Sequence, residues 1–346
     1  MPTALRLNMT GLTEDPRVES ARYQTAVDMA VFAEENAFSV VSVEEHHVAN
    51  NGWLPSPLTL AAAIIGRTDT IAVNCTALLV TLYEPIRLAE DLAVLDLLSG
   101  GRFSFVAGIG YREAEYAAMD KDWAGRGAAM DHLLETLFTA WRGEPFEYNG
   151  HMIRVTPTPV SQPHPPFAIG GMSRAAARRA ARFGLPFFPP METEELGAFY
   201  LEECERNGKQ GFVAYPSEEN AMLFVEDDPE RGWNELAPYF LRESQEYASW
   251  RREGVPRPGE QHVETIDQLK AAGRYEIVTP AELRNRVQKK GPDYTPCLHP
   301  LCGRDDFVTT GRFQLVDRFD VLLARTRNAL ATVSYTHLTL PTKRIV

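Results

Sequence analysis

The sequence has few cysteines, no long apolar run and no concentration of basic residues. Its 346 residues contain four cysteines, namely Cys75, Cys204, Cys297 and Cys302, which are too scattered for a disulfide framework and fit reduced thiols in a cytoplasm. Lys and Arg number 35 against 47 Asp and Glu, a net charge of -12 that disfavours nucleic acid as a partner. No apolar run reaches the length of a membrane span, and the first residues lack the charged-then-apolar pattern of a signal peptide. We therefore expect a soluble cytoplasmic protein that binds neither nucleic acid nor membrane.

The final segment, residues 333–346, reads VSYTHLTLPTKRIV and differs in character from the residues before it. It continues no helical periodicity and resembles a translated sequencing adapter fused in frame. We therefore expect the native sequence to end near Thr332, with the true C-terminus missing, and we give His337 no functional meaning. Residues 1–332 have the length of one (β/α) barrel domain.

Strand-like and helix-like patterns alternate along the chain. Unbroken apolar runs such as FSVVSV, TIAVNCTALLV and RFSFVAGIG alternate with amphipathic segments such as EPIRLAEDLAVLDLLSGG. The alternation ends with an eighth strand in TPCLHPL and an eighth helix in RFQLVDRFDVLLARTRNAL. It predicts an α/β fold whose parallel strands close into a (β/α)₈ TIM barrel, with an open doubly wound sheet as the alternative. Residues 156–166 and 251–280 break the alternation, and we expect both to be long loops of the kind that cover a barrel's active mouth.

Four polar residues follow the second predicted strand directly. Glu44, Glu45, His46 and His47 come just past its end, where barrel residues face the catalytic mouth. Because neighbouring side chains in extended chain point in opposite directions, one histidine reaches the mouth while a carboxylate or the backbone holds the other. The same opposition disfavours a shared metal ion. A purely structural strand end, in which these groups satisfy the backbone, is the competing interpretation.

A second candidate site lies where AIGGMSRAAARRAARFG turns from strand to helix. The strand ends in Gly170 and Gly171, and Ser173 occupies the position of a helix N-cap. Free N–H groups at such a helix start, together with the helix dipole, predict a phosphate site. Arg174 and Arg178 either add positive charge there or lie on a solvated helix face.

Several other motifs are open to two interpretations. Gly108 and Gly110 in GIGYREAEY either let a flat ligand approach the backbone or form a tight strand exit. Cys75 is interpreted as a small buried core residue. The CLHPLC motif holds possible zinc ligands, but its spacing matches no common finger, so we predict strand packing with His299 near the mouth and no metal site. The aromatic residues that either line an apolar pocket or pack in the core are Trp53, Tyr83, Tyr111 and Trp123.

Taken in order, these motifs resemble the bacterial luciferase-like superfamily of flavin-dependent monooxygenases. EEHHV, PIRLAEDLAVLDLLSGGRFSFVAGIGYREAEY, PTPVSQPHPPFAIGGMSRAAARRAARFG and LHPLCG follow its pattern between Leu5 and about Leu330. The resemblance implies a barrel that binds reduced FMN, or in one branch the deazaflavin coenzyme F420, at its C-terminal mouth. It also implies acid/base chemistry at His46, with Glu45 and His47 beside it.

The resemblance further implies where the cofactor is held. Gly171, Met172 and Ser173 fall on the family's phosphate-binding turn, in agreement with the helix-start interpretation. Thr76 and Ala77 align with a pair that relatives join by a non-proline cis bond against the flavin ring. With the glycines of the strand ends, the predicted cofactor-binding residues are Thr76, Ala77, Gly108, Gly110, Gly170, Gly171, Met172 and Ser173.

The sequence departs from luciferase proper at three positions. Gly108 and Ile109 stand where luciferase has a reactive cysteine and a phosphate-binding arginine, and Met172 replaces a carboxylate near the phosphate. Light emission from a long-chain aldehyde is therefore not predicted.

Three functions remain open at this point. The first is a monooxygenase that receives reduced FMN from a separate flavin reductase and uses O₂ to oxidise a small organic substrate. The second is coenzyme F420-dependent hydride transfer, and the third is a non-catalytic flavin-binding protein or subunit. The EEHH motif favours the first. The family also implies a homodimer, whereas the identity of the substrate is not encoded in any motif.

Overall fold

Strands and helices alternate along the part of the chain that the computed structural model describes, namely residues 3–191, 193–215, 222–250, 263–290 and 297–298. The strands are β1 (Ala4–Leu7), β2 (Val40–Val43), β3 (Ala72–Leu78), β4 (Phe103–Ala107), β5 (Phe146–Tyr148), β6 (His151–Ile153), β7 (Phe167–Gly170), β8 (Phe187–Phe188), β9 (Met222–Val225), β10 (Tyr275–Val278) and β11 (Cys297–Leu298). The helices are α1 (Pro16–Glu35), α2 (Pro57–Ile65), α3 (Pro85–Ser99), α4 (Glu113–Ala118), α5 (Arg126–Ala140), α6 (Arg174–Phe183), α7 (Glu194–Arg206), α8 (Pro229–Ser249), α9 (Ile266–Ala272) and α10 (Pro280–Lys290).

Nine of the described strands form one parallel sheet. Its order is β10-β9-β11-β1-β2-β3-β4-β7-β8, and β5 pairs only with β6 in a separate antiparallel hairpin. The predicted α/β fold with parallel strands is confirmed. No hydrogen-bonded pair joins β8 to β10 among the described residues, so closure into a barrel stays a prediction.

Local sequence explains the limits of the central helices. Helix α3 begins at Pro85, whose missing N–H costs nothing in a first turn, and ends at Gly100, which adopts the left-handed conformation with φ of 61°. Its face toward the core carries Leu88, Leu92 and Leu95, which are at most 4% exposed. The predicted apolar stripe of this helix is therefore confirmed.

The structure corrects two expectations about loops. Residues 263–280 are not a loop, because α9 and β10 lie there, and Thr265 and Gln268 form a capping box that the TIDQ motif already contained. Residues 156–166 are irregular as predicted, but they lead into β7 and hence lie at the amino-terminal edge of the sheet, away from the carboxyl edge. There Ser161 bonds the buried Asp96 of α3.

Other predicted segments were missed or lie outside the described residues. The β5–β6 hairpin was missed, although its Asn149-Gly150 turn, with φ of 50° and 77°, is a recognised hairpin pair. The eighth helix and residues 333–346 fall outside the described residues. Cys297 lies at the start of β11, which pairs with β1 and β9 where the eighth strand was expected.

Glu34 joins the end of α1 to the start of β3. Its carboxylate accepts hydrogen bonds from the N–H groups of Asp69, Thr70 and Ile71 at 2.5–2.9 Å and from the Thr70 hydroxyl at 2.9 Å. Partial burial opposes ionisation, but these bonds outweigh it and lower the pKa of Glu34 to about 2. The carboxylate therefore stabilises the folded chain in its ionised form.

We expect Glu34→Gln to lower the free energy of unfolding by about 1 kcal/mol at pH 7, a value reduced for solvent screening. Because the folded pKa lies below the unfolded value of 4.5, the difference from wild type is full above pH 4.5 and disappears as the pH falls toward 2. Urea unfolding at pH 7, 5 and 3 measures it, with exposed Glu35→Gln as the control. An equal deficit at all three pH values would contradict this role.

Candidate functional site

The loops that follow β2, β3, β4 and β7 meet at the carboxyl edge of the sheet. Strand register sets this arrangement, since Val43 pairs with Cys75 and Ala107 pairs with Ile169. Cys75 itself is fully buried, as predicted, and burial raises the pKa of its thiol. Parallel strands therefore bring the two candidate sites of the sequence to one edge.

Glu45 links the loop after β2 to the loop after β3. It is 2% exposed, and one carboxylate oxygen accepts the Leu79 N–H at 2.5 Å. The other oxygen accepts the Tyr83 hydroxyl at 2.6 Å and lies 2.9 Å from Nε2 of His47. Burial and the Glu45 charge raise the pKa of Tyr83. Tyr83 thus serves this polar network, and Glu45 holds His47.

His46 faces a different carboxylate, that of Glu115 at the start of α4. Its Nδ1 is enclosed, makes no hydrogen bond, and lies 3.7 Å from Oε1 of Glu115, which is 1% exposed. That oxygen accepts the N–H of His47 and Nη1 of Arg112, each at 3.1 Å. Burial by itself would raise the pKa of Glu115, but the His46 ring, the His47 N–H and the Arg112 charge outweigh it and lower that pKa.

Of the two holders considered for a histidine here, a carboxylate or the backbone, Glu45 contacts His47 and not His46, whose backbone N–H donates to the Leu54 carbonyl at 3.0 Å. Adjacent side chains of an extended segment diverge, so the carboxylate beside His46 in sequence reaches His47 instead. Glu115 was missed because its position beside His46 depends on the packing of α4 against the loop after β2. The sequence did offer one indication that Glu115 lies near the site: it belongs to YREAEY, which comes just past the fourth predicted strand.

Aromatic rings enclose His46. The ring centroids of Trp53 and Trp250 lie 4.6 and 4.9 Å from the imidazole, and those of Tyr111 and Tyr247 lie 6.0 and 6.1 Å away. Trp53 and Tyr111 thus pack around His46, whereas Tyr247 and Trp250, at the end of α8, were missed. Trp123, by contrast, packs against Tyr116 and Arg126.

The ends of β3 and β4 bring backbone segments close together. The Thr76–Ala77 peptide bond is cis, as the resemblance implied. A Cβ at Gly108 would lie 2.9 Å from Cβ of Ala77, so only glycine fits there without displacement. Gly110, with φ of 71°, approaches the same Leu79 side chain as Gly108. Thr76, Ala77, Gly108 and Gly110 thus lie on or just past the paired strands β3 and β4.

A cavity of about 370 Å³ opens at the start of α6. Ser173 is the N-cap, and its hydroxyl accepts the Ala176 N–H at 3.2 Å. Cβ atoms at Gly170 and Gly171 would lie 2.8 Å from Val106 and Ala176 side chains. The predicted residues that line the cavity are Gly170, Gly171, Met172 and Ser173.

The arginines that line the cavity are not Arg174 and Arg178, which the sequence suggested. Arg174 bonds Glu195 at 2.8 Å and Arg178 lies 3.6 Å from Glu203, so neither lines the cavity. Arg126 and Arg179 do.

The two lining arginines differ in their partners. Arg179 is paired with Asp131 at 2.6 Å, whereas Arg126 stacks 3.7 Å over Trp123 and has no carboxylate within ion-pair distance among the described residues. Arg126 also donates from Nη1 to the Trp123 carbonyl at 2.6 Å, and its distance in sequence from the GGMS turn gave no indication that it lines this cavity.

Two negative findings concern only the described part of the chain. It contains no cluster of three metal-ligating side chains, while His299 and Cys302 of the CLHPLC motif lie outside it. None of its helices is long and apolar enough to cross a membrane.

Comparison with known proteins places the chain in a family. Residues 7–292 match the family model described as luciferase-like monooxygenase. The alkanal monooxygenase beta chain of Vibrio harveyi is 26% identical over 197 residues, 53% of this chain and 59% of that protein. The oxygenase component of flavin-dependent trigonelline monooxygenase from Acinetobacter baylyi is 23% identical over 205 residues, 56% of this chain and 57% of that one. The chain thus spans about half the length of the curated relatives that it matches.

Solved structures share the fold over nearly the whole chain. Monooxygenase RslO1 from Streptomyces bottropensis superimposes with a TM-score of 0.69 at 22% identity, covering 94% of this chain and 98% of that one. The oxygenating constituent of 3,6-diketocamphane monooxygenase from Pseudomonas putida, solved with FMN, gives 0.64 at 16% identity and 99% coverage of both. An F420-dependent secondary alcohol dehydrogenase gives 0.60 at 16% identity, covering 94% of this chain and 99% of that one. With the family model matching most of its length, the chain belongs to the luciferase-like monooxygenase family.

Proposed function

We propose that this protein is a flavin-dependent monooxygenase that uses reduced FMN and O₂ to oxidise a small organic substrate. The observation that carries the proposal is the loop at residues 108–112, which joins three features of the site. Gly108 packs on Ala77, Ile109 lines the cavity at α6, and Tyr111 lies against His46. The glycine-lined backbone at Ala77, the cavity at α6 and a buried histidine therefore all contact one short segment.

The residues present fit FMN. The start of α6, with its first-turn N–H groups and the helix dipole, and the Arg126 side chain suit a phosphate. The backbone beside Ala77, where Gly108 has no room for a Cβ, suits a flat ring. Reduced FMN, when bound, supplies the electrons that activate O₂.

The chain's own side chains then control protons and water. The rings around His46, including Trp53 and Trp250, exclude bulk water from the imidazole. We assign to His46 the transfer of a proton at the reacting centre, because imidazole exchanges protons near neutral pH. Glu45 and His47, bonded to each other at 2.9 Å, hold the loop that carries it.

We further propose a separate flavin reductase as partner and the cytoplasm as location. The matched trigonelline relative is an oxygenase component, which supports a reductase on another chain. Coenzyme F420 is the alternative cofactor, since an F420-dependent dehydrogenase shares the fold. A non-catalytic flavin-binding role is less well supported, because the enclosed His46 and its carboxylate have no purpose in storage.

The deciding experiment is anaerobic titration of the full chain with reduced FMN and with reduced F420, followed by fluorescence, and then O₂ uptake with a flavin reductase and NADH. We expect the chain to bind reduced FMN more tightly than reduced F420. We also expect the rate of O₂ uptake to change when the chain is added to the reductase and FMN. Preference for F420 without O₂ uptake would support hydride transfer instead. Binding of neither cofactor would overturn the proposal.

The homodimer is proposed from an apolar stripe on α3. Val94, Leu97 and Leu98 are 43%, 44% and 63% exposed and follow one another at helical spacing. We expect a dimer by size-exclusion chromatography with light scattering, and a monomer for Leu98→Glu, because burying the added charge in the interface is costly. Leu201→Glu, at a 43% exposed position of α7, is the matched control. A monomeric wild type, or a dimeric Leu98→Glu variant, would contradict this interface.

A further inference from the structure

We infer that Glu115 is a positioning residue that fixes the tautomer of His46, with the proton on Nδ1 and the lone pair on Nε2. Nε2 of His46 then exchanges a proton with the reacting atoms. Only this catalytic consequence rests on the proposed function, whereas the tautomer is a property of the protein alone.

The inference begins with the surroundings of Nδ1. This nitrogen is enclosed by protein, and Oε1 of Glu115 lies 3.7 Å from it. A carboxylate only accepts hydrogen bonds, so the tautomer that faces it favourably is the one with a proton on Nδ1. The opposite tautomer would place a lone pair toward a buried negative charge, which is unfavourable at low dielectric.

Glu115 is held in place on its other side. Arg112, 9% exposed, donates to Oε1 of Glu115 at 3.1 Å and to the carbonyl oxygens of His47 and Val48 at 2.5 and 3.4 Å. Its guanidinium also lies 3.8 Å over the ring of Trp250. The carboxylate is thus tied to the loop that carries His46 and cannot rotate away without breaking these bonds.

Neither of the other nearby carboxylates offers an alternative partner. Glu45 is occupied by His47, Tyr83 and the Leu79 N–H. Glu44 forms a two-point contact with Arg6 at 2.7 and 2.8 Å and accepts the indole N–H of Trp53 at 3.0 Å. Each carboxylate of this site therefore has its own partner, and the one that faces His46 is Glu115.

Histidine-selective ¹⁵N NMR of the full chain tests the inference without any cofactor, with the His46 resonances assigned through His46→Gln. We expect the Nδ1–H form in wild type, the same form in Glu115→Gln, which keeps an acceptor oxygen, and the Nε2–H form in Glu115→Ala. The exposed Glu113→Ala on the same helix should match wild type. An Nε2–H signature in wild type, or an unchanged one in Glu115→Ala, overturns the inference.

Turnover supplies a second measurement. With reduced FMN, we expect Glu115→Ala to lower kcat at least about tenfold while the Kd for FMN stays constant, and Glu115→Gln to recover part of the rate. If Glu115→Ala fails to fold, the spectra of wild type and Glu115→Gln still decide the tautomer. A wild type with the Nδ1–H form and no oxygenase activity would retain the positioning role and reject the proposed function.

Discussion

Replacing His46 with alanine slows substrate oxidation by about 10²–10⁴-fold and leaves the affinity for reduced FMN nearly unchanged. The imidazole lies among Trp53, Tyr111 and Trp250 and is not one of the residues that line the cavity at α6, where the proposed phosphate contacts lie. Its loss therefore removes proton transfer and leaves the anion site intact. Product formation, O₂ uptake and the release of hydrogen peroxide are measured with a flavin reductase, and binding is measured anaerobically by fluorescence.

Two further variants make this result interpretable. His46→Gln keeps more side-chain volume within the aromatic cluster, so agreement between it and His46→Ala separates lost chemistry from a packing defect. His132→Ala, at an exposed position of α5, is the matched control for histidine removal. A normal oxidation rate in both His46 variants would remove this histidine from the mechanism.

Gly171→Ala weakens binding of reduced FMN by roughly tenfold to a hundredfold, on the basis of about 1–3 kcal/mol of local strain. Gly171 has φ of 146°, a conformation that L side chains rarely adopt, and an added Cβ would lie 2.8 Å from that of Ala176. Relief of either conflict shifts the first turn of α6 and hence the N–H groups that face the cavity. Anaerobic fluorescence titration measures the Kd.

The control for this variant is Gly150→Ala in the β5–β6 turn. Gly150 also has positive φ, 77°, but no atom lies within 4 Å of its added Cβ. Gly150→Ala therefore introduces backbone strain without changing the cavity at α6. Its Kd for reduced FMN should equal that of wild type. Equal affinity in Gly171→Ala and Gly150→Ala would contradict the proposed phosphate site.

Several elements of the site were accessible from local sequence because their causes are local. Ser173 caps α6 as its position at the start of SRAAARRAARFG predicts, and Gly100 ends α3 as the LLSGG stretch predicts. The β10 strand was missed even though its sequence is β-rich. Residues 251–280 contain several prolines and glycines, which favour loops, so the whole range was predicted to be a loop. Its pairing with β9 gives it a partner that the sequence alone does not specify.

Local sequence is enough to predict the alternation of strands and helices, the glycines at the strand ends and the position of His46 past β2, since hydrophobic period and backbone conformation depend on neighbouring residues. The pairing of charges, in contrast, depends on the tertiary structure. Glu115 lies 68 residues from the His47 N–H that it accepts, and Arg126 reaches the α6 cavity from another helix. Such contacts depend on how helices pack against the sheet, and many arrangements of carboxylates and histidines satisfy the same local pattern. The contacts among the buried carboxylates, histidines and arginines therefore depend on the fold, whereas the fold class is predicted by the alternation of strand-like and helix-like segments.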